Sequence, residues 1–263
     1  MLGAITGDII GSIYEFNNHK SKDFPLFDEG CKFTDDTVMT VAIADSLLTA
    51  NGDLSLLGQI TIKKMREYGK AYPGRGYGVR FNVWLQIIDS QPYNSFGNGA
   101  AMRISPVGWI GNSLEEVKKL SSIVTSVTHN HPEGIKGAEA VAVAIYLART
   151  KHSQEEIRTY INKHYYDLNF TLDEIRPRNK HDETCQKSVP QAIVSFLEAK
   201  DFENSIRNAI SIGGDSDTIG AIAGSIAEAY FGIPTEIKDK ALAYLDDDLI
   251  SVVNDFQNHV KQK

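Results

Sequence analysis

SIGGDSDTIGAIAGSIAEAYFG, residues 211–232, opens on two glycines and two aspartates and continues as a run of small and apolar residues. The spacing predicts a helix over 218–231. Gly220 and Gly224 share one face of it, with Ala227 nearby, because positions four apart lie above one another on a helix. A face without side chains lets another backbone come close. The matching face is at the other end of the chain: in residues 2–16, read as the first helix, Gly3, Gly7 and Gly11 repeat the same spacing. Packing one glycine face on the other closes the chain on itself and brings Glu15, at the end of the first helix, toward Asp215 and Asp217.

The rest of the sequence reads as helix. Helical patterns cover 37–49, 54–71, 79–89, 113–128, 133–149, 153–166, 188–199, 203–212 and 235–260. Strand signals are weak, with no series of alternating segments and no hairpin dipeptide between strand-like runs. Residues 17–34, 72–78 and 90–100 are loops, and 167–187 is a polar surface excursion. The expectation is a single all-α domain over residues 1–263.

The 263 residues suffice for one large domain with a sizeable core. A net charge of −7 argues against a nucleic-acid backbone as the main partner. It leaves room for a phosphate-bearing small ligand, which backbone N–H groups and helix ends can hold. Two distant cysteines, Cys31 and Cys185, make no disulfide framework or metal clip and fit a reducing cytoplasm. No segment approaches about 18 uncharged apolar residues, so no membrane span is expected. The first 16 residues carry Asp8 and Glu15 and lack a basic start, which favours a helix over a signal peptide. A monomer is the default expectation.

A second acidic motif lies in KFTDDTVMTVAIADSLL, residues 32–48. Thr34, Asp35, Asp36 and Thr37 gather oxygens at a helix start. Capping needs one aspartate and one threonine. The second aspartate is surplus, since adjacent carboxylates repel unless a cation offsets them. From this motif alone, capping and cation binding both stand. Gly213-Gly214-Asp215-Ser216-Asp217-Thr218 repeats the oxygen set and adds glycines that permit close approach to a ligand. Such donors suit Mg²⁺, Mn²⁺ or Ca²⁺ rather than zinc.

Two further stretches bear on ligands. Gly97-Asn98-Gly99 is a tight turn that also lets backbone N–H groups approach an anionic ligand. Arg103, just beyond it, has apolar neighbours and reads as structural. His129 and His131 in THNHP have no third ligand nearby, so helix entry is preferred over a metal clip. Tyr72, Tyr77, Phe81, Trp84 and Tyr93 are candidates for stacking on a planar ligand ring, of which one or two are expected to serve. No nucleophile elbow or cysteine–histidine pair supports a covalent triad.

Taken in order, GAITGDIIGSIYEF (3–16), FTDDTVMT (33–40), SFGNGAAMRISPVGW (95–109), THNHPEGIKGAEAVA (128–142) and GGDSDTIGAIAGSIAEAYFG (213–232) resemble the ADP-ribosylglycohydrolase family. The resemblance implies that family's all-α orthogonal bundle, with two Mg²⁺ or Mn²⁺ ions at the base of an ADP-ribose cleft. It implies Thr34, Asp35, Asp36, Asp215, Asp217 and Thr218 as metal ligands. Glu15 matches an acidic residue near the scissile bond, and Glu15, Asp35 and Asp36 are the catalytic candidates. Gly97, Asn98, Gly99, Met102, His129, Gly214 and Ser216 are the implied ligand contacts. The loop at 17–33, with Lys20, Lys22 and Asp28, is expected to cover the scissile bond. Thr37 is left to start the helix. The implied activity is hydrolysis of the C1″ bond between ADP-ribose and an acceptor, a protein side chain (arginine favoured) or a small conjugate. The alternative is a catalytically silent ADP-ribose binder.

Overall fold

The computed structural model describes residues 1–262. They form fifteen helices and, among the described residues, no strand; one isolated antiparallel bridge joins Gly97 to Thr184. The helices are α1 (Leu2–Gly11), α2 (Asp35–Ala50), α3 (Leu54–Ala71), α4 (Val79–Gln86), α5 (Gly99–Met102), α6 (Ser105–Ile110), α7 (Leu114–Ser126) and α8 (Pro132–Arg149), followed by α9 (Gln154–His164), α10 (Leu172–Ile175), α11 (Cys185–Leu197), α12 (Phe202–Ser211), α13 (Ser216–Phe231), α14 (Thr235–Leu242) and α15 (Asp247–Lys261).

Among the described residues, α1 and α13 make the most extensive helix–helix contact. All ten residues of α1 and thirteen of the sixteen in α13 are buried. The glycine faces meet as the spacing predicts. A methyl group placed on Gly7 would sit 2.0 Å from the Gly220 carbonyl oxygen, and one on Gly3 would sit 2.2 Å from that of Gly224. A third, on Gly11, would lie 2.5 Å from the Asp217 Cα. The two backbones therefore touch, and the start of α13 is fixed against the end of α1. Around this crossing α13 also packs on α8, α11 and α12, while α2 is held between α3 and α15.

Three expectations are corrected. The first helix stops at Gly11 rather than running to 16: Ser12 turns its hydroxyl back to the Ile9 carbonyl (2.8 Å) and accepts the Lys32 N–H (3.1 Å). Apolar periodicity persists through Phe16, but the helical bonds do not. The pattern at 235–260 is two helices, because Asp246 caps a new start at the Leu249 N–H. The polar excursion at 167–187 holds α10 and then returns to the centre: the Asn98 N–H donates to the Glu183 carbonyl (2.7 Å) and the Cys185 N–H to that of Phe96 (3.0 Å). Among the described residues, no helix is long and apolar enough to cross a membrane.

Candidate active site

The starts of α2 and α13 converge on one cavity of about 410 Å³ at the end of α1. Its floor is acidic. One carboxylate oxygen from each of Asp8, Asp36 and Asp217 lies within 4.8 Å of the other two, and Glu15, Asp215 and Asp217 form a second such triad. Asp217 belongs to both. Asp35 lines the cavity without joining either triad. Thr218 donates its hydroxyl to Asp36 Oδ2 (3.3 Å) and so ties the two motifs together across the chain.

Burial is the leading cause of the electrostatics. It lifts Asp35, Asp36 and Asp217 well above the usual carboxylate range, and repulsion among the acids adds to it. Asp215 is pushed up to about 6, again chiefly by burial and against hydrogen bonds from Asp217 and Asn98. Burial and then Asp217 push Glu15 up to about 7. Without a cation this concentration of like charge opposes folding. The donor set passes the test for one. Every candidate ligand is a carboxylate or hydroxyl oxygen, and Asp36 Oδ1 is buried with no hydrogen-bond partner. That is the hard-oxygen surrounding that divalent cations of the Mg²⁺, Mn²⁺ or Ca²⁺ type take.

Asp8 is the residue that sequence reasoning missed. Fully buried, it accepts the Thr34 hydroxyl on Oδ1 (2.6 Å). On Oδ2 it accepts the Thr34 N–H (2.9 Å), the Thr37 N–H (3.1 Å) and the Thr37 hydroxyl (2.5 Å). With Oδ2 fully used by donors, Asp8 holds the Thr34–Thr37 turn more than it offers ligand oxygens. Its signal was present, since it is the one charged residue in the apolar segment 2–11.

The helix start falls on the other threonine. Thr34, not Thr37, starts α2 by accepting the Asp36 N–H (3.3 Å), and Thr34 does not line the cavity. Both threonines donate to Asp8.

Of the expected ligand contacts, Gly97, Asn98, Gly99, Met102 and His129 line the cavity, as do Phe81 and Tyr93 among the five aromatics. Gly214 and Ser216 do not. Gly214 adopts φ +94 and exchanges two hydrogen bonds with the Asn18 side chain, and the buried Ser216 hydroxyl faces the Tyr14 carbonyl (3.4 Å). The 17–33 loop does not cover the cavity either. Lys20 is anchored elsewhere, donating to the Ile212 carbonyl (2.5 Å) and that of Asn179 (2.8 Å). Phe16 and Glu183 stand there in its place.

His129 is buried against Thr128 and the guanidinium of Arg103, and burial, followed by the charges of Arg103 and Arg80, holds it neutral. His131 caps α8, as expected for helix entry. Arg103 is 2% exposed, donates to the Thr128 hydroxyl (2.6 Å), and lies over the Phe81 ring.

The model of one family, ADP-ribosylglycohydrolase, matches residues 1–262. This chain belongs to that family. It is 25% identical to the human ADP-ribosylhydrolase ARH3, over 95% of this chain and 90% of the relative. The mouse ARH3 is 26% identical over 89% and 83%. An uncharacterised protein of Archaeoglobus fulgidus is 36% identical over 77% of this chain and 73% of its own length. A solved structure titled ADP-ribosylglycohydrolase-related protein complex shares the fold, with a TM-score of 0.67 over 92% of this chain and 95% of that one, at 21% identity. The all-α orthogonal bundle expected from the sequence is the fold observed.

Proposed function

We propose that this chain is a metal-dependent ADP-ribosylhydrolase, acting as a single domain, that cleaves the C1″ glycosidic bond between ADP-ribose and an acceptor. The observation that carries the reading is the pair of acid triads sharing Asp217, of which Glu15, Asp36, Asp215 and Asp217 line a cavity walled by the Gly97–Gly99 turn. Asp35, Asp36, Asp215, Asp217 and Thr218 would hold two Mg²⁺ or Mn²⁺ ions, with Thr34 supporting them through its hydrogen bonds. Bound there, the ions supply charge neutralisation and Lewis acidity toward the distal-ribose hydroxyls and the attacking water.

The protein's own groups do the rest. The glycine turn admits the pyrophosphate backbone-to-oxygen. His129, kept neutral, faces that turn and takes a hydrogen-bond role rather than a charged one. Cleavage develops oxocarbenium character at C1″, which the floor carboxylates stabilise. Glu15, with its carboxyl near neutrality, is matched to accept a proton from water and return it to the departing acceptor. Water is consumed, and ADP-ribose and the free acceptor are released.

The chemistry of the mouth supports arginine-linked conjugates as the preferred class. Glu15, Glu183 and the exposed ring of Phe16 line it, and a guanidinium pairs with carboxylates and stacks on aromatic faces. A panel of arginine-linked, serine-linked and acetyl-linked ADP-ribose, each with Mg²⁺ and with EDTA, tests the reading. Release of ADP-ribose from at least one substrate, abolished by EDTA and by Asp217→Ala, is expected. Metal-independent turnover, or binding of ADP-ribose with no turnover of any conjugate, would refute it. The second outcome would favour the silent binder.

A further inference from the structure

The two halves of the acidic floor are oriented differently. Asp8 holds the α2 half. The α13 half is held neither from α1 in this way nor by a cap of its own: Asp215 precedes α13 without making a side-chain capping bond. Its neutral donor is Asn98, which is 6% exposed and donates Nδ2 to Asp215 Oδ2 at 2.6 Å. The second amide hydrogen of Asn98 goes to Ser188 Oγ (2.9 Å), and that hydroxyl is itself committed to the Asp182 carbonyl (3.0 Å). The Asn98 main chain is pinned as well, by its N–H to the Glu183 carbonyl and by its carbonyl to the Ala101 and Met102 N–H groups.

Two consequences follow. Both amide hydrogens are used, so the side chain has none left to give a phosphate oxygen, although Asn98 lines the cavity. And the carboxylate plane of Asp215 is set from across the site by a side chain that cannot turn. We infer that Asn98 is a positioning residue that aims Asp215 at a bound divalent cation, with Ser188 fixing the amide from behind, rather than a side-chain contact for ADP-ribose. This rests on the cation-binding reading of the floor. Partners that orient metal ligands in this way are worth about 10–100-fold in metal affinity.

Calorimetric titration of Mg²⁺ into metal-stripped protein reads the effect without any turnover. Asn98→Ala is expected to weaken Mg²⁺ binding by about tenfold or more, while ADP-ribose affinity measured at saturating Mg²⁺ stays within about twofold of wild type. Ser188→Ala, which leaves the glycine turn intact, is expected to weaken Mg²⁺ binding by a smaller factor in the same direction. Unchanged Mg²⁺ affinity in Asn98→Ala overturns the assignment, as does lost ADP-ribose affinity with Mg²⁺ affinity intact. Should Asn98→Ala fail to fold, unchanged Mg²⁺ affinity in Ser188→Ala overturns it. Wild-type protein that takes up neither Mg²⁺ nor Mn²⁺ overturns the cation reading and this inference together. Wild-type protein that binds Mg²⁺ but hydrolyses no conjugate overturns only the proposed activity.

Discussion

Replacing Asp8 by alanine removes the acceptor for four hydrogen bonds at once, two of them from the backbone N–H groups of Thr34 and Thr37. The two hydroxyls can rotate toward other acceptors, but the backbone groups cannot. A buried donor left without a partner costs about 1–3 kcal/mol, so Asp8→Ala should cost about 2–6 kcal/mol. Against a typical total of about 5–15 kcal/mol this is a large fraction. Asp8→Asn is the informative contrast. Its oxygen, placed at the Oδ2 position, still accepts three donors, and its amide can donate to the Thr34 hydroxyl. It also removes one of the buried charges that repel Asp35, Asp36 and Asp217. Urea unfolding in EDTA should therefore rank Asp8→Asn at or above wild type and Asp8→Ala well below both. With Mg²⁺ added, wild type should gain more than Asp8→Asn, because the asparagine variant has less negative charge for the ion to offset. If the two variants lie within about 1 kcal/mol of each other in EDTA, hydrogen-bond loss is not what Asp8 prevents, and the reasoning fails.

The glycine crossing predicts that Gly7→Ala costs about 3 kcal/mol or more, at the upper end of overpacking, since the new methyl meets backbone 2.0 Å away. By calorimetry that is a drop of about 6–12 °C. Gly58→Ala in α3, where the nearest atom would be 3.8 Å away, should instead raise stability by about 0.4–1 kcal/mol. Metal-free protein should lose stability as pH rises from about 4 to 7. Glu15 and Asp215 sit at about 7 and about 6 when folded against ordinary values of 4.5 and 3.8, so the folded state holds more protons than the unfolded chain in that window. Urea midpoints at pH 5 and pH 8 in EDTA check the sign, and adding Mg²⁺ at pH 8 should restore what was lost. Asp36→Ala should abolish ADP-ribose release while leaving the far-UV circular dichroism unchanged; wild-type turnover in that variant would contradict the two-cation model.

What could be read in the sequence was whatever is encoded by identity at short spacing. Glycines four apart on two segments predict a backbone crossing, because only glycine permits it, and the crossing is there. Paired aspartates at two helix starts predict a cation site, because adjacent carboxylates have few other reasons to persist, and the starts do converge. The residues that escaped have roles set by partners far away in the chain. Asp8 reads as a stray polar residue until Thr34 and Thr37, 26 and 29 positions on, are seen to converge on it. The 167–187 excursion reads as surface because Glu183 ties it to the centre through a main-chain carbonyl, which carries no side-chain signature, and a carboxylate within a polar run does not announce the cavity it lines. The 17–33 loop misled for the opposite reason. The resemblance implied a cover over the site, but Lys20 is tied to the Ile212 and Asn179 carbonyls.

The end of α1 shapes the site. The cavity is built at the end of α1, and the helix stops at Gly11, where Ser12 turns the chain. Continued helix to residue 16 would carry Glu15 and Phe16 onward along the axis. The turn instead sets Glu15 beside Asp215 and Asp217 and leaves Phe16 84% exposed at the mouth. The same glycine face that brings α13 onto α1 therefore dictates where α1 must end, since Gly11 already meets the Asp217 backbone and the acidic floor begins at that contact. Fold and site are one constraint here. A change that separates the two helices by one methyl group should weaken cation binding as well as stability, and a Gly7→Ala variant that melted early yet bound Mg²⁺ as wild type does would show the two to be independent.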